Sequence, residues 1–109
     1  MKYLMLVTVD PSIKLAPGDT GDVEPWVEEM DRRGVRLVGS PVARAENATT
    51  VRVRDGELSV TDGPFAEAKE QMVGFDLIEC ADLDEAIEIA SKHPLARRGA
   101  MDLRPFIDD

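Results

Sequence analysis

Val51-Arg52-Val53-Arg54-Asp55-Gly56-Glu57-Leu58-Ser59-Val60 reads as two short strands joined by a two-residue turn. Asp-Gly supplies the two positive φ angles of a type I′ turn, whose twist matches that of the strands it joins. The turn fixes a register in which Arg54 faces Glu57, Val53 faces Leu58, Arg52 faces Ser59 and Val51 faces Val60. The valines and the leucine then share one side and the polar pairs the other, the segregation that a correct register gives.

On the N-terminal side of this hairpin, Tyr3 to Val9 is continuous apolar or β-branched sequence, the pattern of a strand buried on both faces. Pro11 and Pro17-Gly18-Asp19 open a loop after it. From Asp22, the expected N-cap, the residues Val23, Trp26, Val27 and Met30 follow helical spacing, and Gly34 stands where a left-handed residue would end the helix. Val35 to Val42 is a second strand. On the C-terminal side, Met72 to Cys80 is a strand with Gly74 placed for a bulge or for close approach of a ligand. Asp82-Leu83-Asp84-Glu85 caps a second helix, expected to turn Leu83, Ala86, Ile87 and Ala90 inward until Pro94 stops it. Ala100 to Phe106 closes the chain as a strand, and Pro105 marks it as an edge. This order predicts one α+β domain over residues 1–109, with a ferredoxin-like antiparallel sheet and two helices on one face. The other face of such a sheet would remain apolar and bare, which predicts a homodimer with the two sheets packed face to face.

Composition restricts the function classes. The 109 residues, 43% hydrophobic, suffice for one core. A net charge of -9, from 22 acidic against 13 basic residues, repels a phosphate backbone and argues against nucleic-acid binding. No apolar run reaches membrane-spanning length. Cys80 is the single cysteine, so neither an internal disulfide nor a cysteine-based zinc cluster can form, and a cytoplasmic location is expected. One histidine with scattered carboxylates offers no metal-site spacing, and no phosphate-binding glycine loop or flavin motif is present, so neither a metal nor a cofactor is expected.

The segment Thr61-Asp62-Gly63-Pro64-Phe65-Ala66-Glu67-Ala68-Lys69-Glu70-Gln71 is dense in residues that direct the backbone. Asp62 can accept a backbone hydrogen bond, Gly63 tolerates positive φ and Pro64 fixes its own φ. One reading is a tight turn with Phe65 plugged into the core. The other is a rigid loop that aims Asp62, Lys69 and Glu70 into a pocket bordered by Phe65 and Gly74. Asp102 and Arg104, two apart on the last strand, share a side of the sheet, and Asp76 would join them if the two strands were neighbours. That cluster reads either as an ordinary edge ion pair or as a site. In the site version Arg104 and Lys69 bind a small, anionic molecule, and Asp62 or Asp102, its pKa raised by burial, acts as general acid or base.

The run Asp62-Gly63-Pro64-Phe65-Ala66-Glu67, with Lys69-Glu70-Gln71 and Gly74-Phe75, resembles the signature of the DGPF-type branch of YCII-related proteins. Further matching stretches are Met1 to Leu6, Ala48-Thr49-Thr50-Val51-Arg52, Asp82 to Ala86 and Leu103-Arg104-Pro105. The resemblance implies a dimeric α/β barrel of two ferredoxin-like subunits and no settled reaction. It also implies a regulatory alternative, because related proteins are often encoded beside extracytoplasmic-function sigma factors. A His-Asp pair is implied as catalytic in the YCII branch. His93, however, falls at the end of the second helix before Pro94 and reads as a surface residue favoured by the helix dipole, leaving carboxylates and cations near the loop as the expected machinery.

Overall fold

The computed structural model describes residues 1–63 and 71–107. Its elements run β1 (Lys2–Val9), α1 (Glu24–Arg32), β2 (Arg36–Pro41), β3 (Thr49–Arg54), β4 (Glu57–Asp62), β5 (Gln71–Glu79), α2 (Leu83–Ser91) and β6 (Gly99–Pro105). Four strands form an antiparallel sheet in the order β2-β5-β1-β6, the ferredoxin-like order once the hairpin is set aside. The hairpin β3–β4 is a separate two-stranded sheet, not part of the main one.

Register fixes which residues face the helices. Tyr3, Met5 and Val7 of β1 pair with Ile78, Asp76 and Gly74 of β5, so the six share one side. Of these, Tyr3, Met5, Val7 and Ile78 join Trp26 and Met30 of α1 and Ala86, Ile89 and Ala90 of α2 in one core. β1 is therefore buried on this face only, not on both as its continuous apolar sequence suggested, and Leu4 and Leu6 on the other face are half-buried. Leu6 pairs with Phe75 and Asp102, and Leu4 with Leu77 and Arg104, which assigns all of these to the face without helices.

Local signals in the chain account for the element ends. The helix α1 begins with Val23 in the N-cap position, one residue later than expected, yet Asp22 Oδ1 still accepts the Glu24 amide at 3.1 Å. Gly34 follows the helix at φ 73°, where a side chain would be strained. Asp82 Oδ1 caps α2 by accepting from the Glu85 amide at 2.9 Å, and Glu85 reaches back to the Ala81 amide at 2.8 Å. The inward stripe of α2 is Ala86, Ile89 and Ala90, whereas Leu83 and Ile87, expected inside, are about half exposed. The cap is offset from the apolar stripe, so Leu83, immediately after it, starts outside the buried arc.

The hairpin has the register read from its sequence, with Asp55 at φ 53° and Gly56 at φ 78°. Its apolar side meets no core, and Val51, Val53, Leu58 and Val60 are 58–68% exposed. Arms of this kind enlarge the molecule. Its radius of gyration is 15.9 Å, against about 13 Å for a compact domain of this length.

Replacing Asp82 with Ala removes the α2 cap and should cost about 1 kcal/mol, or about 5 °C in Tm. A thermal melt that does not move would contradict this account of where α2 starts.

Candidate functional site

Between α1, β2 and β5 lies a cleft of about 450 Å³. Val7, Val23, Trp26, Val27, Val73 and Leu95 give it apolar walls. Against them stand Glu24, Arg36, Ser40, Asp76 and His93. A mostly apolar concavity with a few convergent polar groups is the usual form of a small-molecule site.

The alternation of β5 puts Asp76 between Gly74 and Ile78 on the helix side, where it is 6% exposed. Arg36, at the start of β2, reaches it with an Nε to Oδ1 hydrogen bond of 2.8 Å and extends Nη1 to Asp31 at 3.3 Å. Burial raises the Asp76 pKa, and the Arg36 hydrogen bond and charge offset that rise only in part. For Arg36 burial opposes the charge, but the two carboxylates outweigh it and raise its pKa. The pair needs space, and Gly39 supplies it: opposite Asp76 in the register, it leaves room that a Cβ would take from the Asp76 carboxylate and the Arg36 guanidinium. Gly74, expected at the site, lies on the cleft wall at an irregularity in the β1–β5 pairing, and a Cβ there would press on the Ser40 carbonyl at 3.1 Å.

His93 does not behave as a surface residue. It is 4% exposed, with its ring centroid 4.7 Å from that of Trp26 at an interplanar angle of 59°. The reason is local. Pro94 disfavours helical backbone at the residue before it, and His93 adopts φ -68° and ψ 128°, leaving the helical direction and turning its ring inward. Its Nδ1 accepts the Leu95 amide at 3.1 Å, which places the proton of the neutral ring on Nε2. Burial lowers its pKa to about 4. Trp26 is anchored in turn by Nε1 donating to the Ile89 carbonyl at 3.0 Å.

The residues expected from sequence to form a site are dispersed. β1 separates β5 from β6, and Asp102 and Arg104 lie on the face opposite Asp76, so the three do not cluster. Asp102 and Arg104 form an exposed ion pair at 2.9 Å, and the hydrogen bond from Arg104 lowers the Asp102 pKa instead of burial raising it. Asp62 ends β4 opposite Thr49, is exposed, and does not line the cleft. Phe65 and Lys69 lie outside the described residues. Arg36, Gly39 and His93 were not expected. Their signals were a charge at the head of an apolar strand, a glycine opposite a carboxylate, and a histidine directly before proline.

Cys80, by contrast, is a buried thiol whose pKa burial raises, as expected of a small apolar residue. Among the described residues no group of three or more His, Cys, Asp or Glu side chains could hold a metal ion, and no helix is long and apolar enough to cross a membrane.

The sequence pattern of the YCII-related domain matches residues 1–108. The chain belongs to the YCII-related family. An uncharacterised protein of Rhizobium meliloti (strain 1021) is 38% identical, the match covering 97% of this chain and 92% of the relative. The match to the family includes the β2 and β5 strands that carry Arg36 and Asp76, so the cleft lies within the YCII-related domain.

The buried imidazole gives a pH dependence of defined sign. Between the ordinary histidine value of 6.5 and the native value of about 4, the unfolded chain binds a proton that the folded chain refuses. Stability should therefore fall as pH drops through this window, by up to about 3 kcal/mol at its lower end. Asp76 acts in the opposite sense, since its raised pKa favours proton uptake in the fold, but it is present in both proteins of the comparison. Urea unfolding of wild type and His93→Gln from pH 7 to pH 4 should show a shallower decline in the variant. Identical slopes would place the histidine in water.

Proposed function

We propose that the cleft binds a small molecule and that Asp76, aided by His93, performs acid-base chemistry on it. The observation that supports this most is the placement of Asp76, a buried carboxyl on the wall of a mostly apolar cleft, where burial raises its pKa. A carboxyl whose pKa is raised by burial is better suited to giving and taking a proton than a solvated one. His93, kept uncharged by burial, supplies a second proton-carrying group without adding positive charge. β5 begins at Gln71, and its Val73 and Gly74 line the cleft.

In this reading the working unit is a homodimer in a reducing cytoplasm. The accessible surface of 7454 Å² for 12.0 kDa exceeds the roughly 6,000 Å² of a compact monomer by about 1,450 Å². That excess is ample for one partner's share of a stable interface. Leu4, Leu6, Phe75 and Leu77 on the sheet and Val51, Val53, Leu58 and Val60 on the arm are the apolar groups a second copy would cover. A second reading, a regulatory module that docks a basic partner such as an extracytoplasmic-function sigma factor, draws support from the net charge of -9 and from the exposed arm. It predicts that Val53→Asp abolishes partner capture while small-molecule binding is unchanged.

Two experiments test the primary reading. A thermal-shift screen of small organic molecules should find ligands that stabilise the wild type and Asp102→Asn but not Asp76→Asn. Ligands indifferent to Asp76, or none at all, would contradict it. Sedimentation at micromolar concentration should give a dimer, and a monomer would remove the assembly part of the reading.

A further inference from the structure

We infer that the cleft selects a small amine, a protonated nitrogen on an apolar or aromatic body, over an anion of the same shape. This rests on the reading of the cleft as a ligand site and adds the ligand's charge. Two carboxylates, Glu24 and Asp76, line the cleft against one guanidinium, that of Arg36. Arg36 is already engaged, with Nε on Asp76 at 2.8 Å and Nη1 on Asp31 at 3.3 Å, and its side chain is 16% exposed. An incoming anion would meet a guanidinium whose charge two carboxylates already offset, and would face a surplus of negative charge, in a molecule that carries -9.

Asp76 keeps an acceptor for a donor in the ligand, while the neutral His93 ring carries an N–H on Nε2 and adds no charge. Among the described residues Asp76 uses Oδ1 for Arg36, and the other oxygen has no protein donor. His93 contributes no positive charge while its ring is neutral. The indole of Trp26 lines the cleft, and an aromatic ring draws a nearby cation through its quadrupole. Val23, Val27, Val73 and Leu95 would pack the apolar body, and the cleft of about 450 Å³ admits a molecule of one or two rings.

Trp26 is the only tryptophan in the chain and lines the cleft, so its fluorescence reports occupancy without a label. Three probes of similar shape separate charge from fit: phenethylamine, 2-phenylethanol and phenylacetate, titrated at pH 7 into the full chain. Phenethylamine should bind at least about tenfold more tightly than phenylacetate, a discrimination worth about 1.4 kcal/mol. Asp76→Asn should reduce that ratio several-fold, while Asp102→Asn, on the other face, should leave it unchanged. Phenylacetate binding as tightly as the amine, with dependence on Asp76, would overturn the charge assignment and leave the cleft a ligand site. No fluorescence response to any of the three would overturn the inference as well, and the thermal-shift screen then decides separately whether the cleft binds anything.

Discussion

The pairing of β1 with β5 is the constraint on which the other features depend. By setting Met5 against Asp76 and Tyr3 against Ile78, it builds the core layer beneath both helices and inserts a carboxylate into it. A carboxylate in such a layer cannot stay unpaired, because the loss of hydration is too costly. Arg36 answers it from β2, and Gly39 leaves the room both need. A sheet of apolar pairs alone would have been easier to stabilise, and a buried ion pair is weak evidence for stability in its own right. Its position on the wall of a cleft suggests that it is kept for what the cleft does.

The same pairing divides the sheet into two chemically different faces. On the helix side are the core, the cleft, Asp76 and His93. On the other side Leu4, Leu6, Phe75 and Leu77 lie beside the exposed Asp102–Arg104 pair. The proposed ligand chemistry and the proposed assembly would use different faces, since a second copy could cover the leucines without closing the cleft.

Much of the fold was legible because its signals are local. Asp55-Gly56 determines a turn from two residues, and the hairpin formed pair for pair as read. Gly34 and Asp82 likewise mark helix ends through their own backbone preferences and side-chain reach. The site was less legible because it is made by long-range pairing. Nothing within β5 or β6 tells that β1 runs between them, and that single fact moves Asp76 away from Asp102 and toward Arg36. His93 was misplaced for another reason: the dipole argument applies to a histidine on a helix end, but Pro94 takes it off the helix and under Trp26. The hairpin's apolar side was recognised correctly, yet alternation says only that a strand has two unlike sides, not what covers the apolar one.

If the Arg36–Asp76 pair serves the cleft more than the fold, replacing both partners together should be tolerated. The most direct measurement is the unfolding free energy of the Arg36→Met, Asp76→Leu double variant beside each single variant. Arg36→Met strands the buried Asp76 and should cost about 3–5 kcal/mol, Asp76→Leu leaves Arg36 only the exposed Asp31 and should also destabilise, whereas the double variant should lie within about 1 kcal/mol of wild type or above it. A double variant as unstable as the singles would show that the pair is a structural necessity, and would contradict the account.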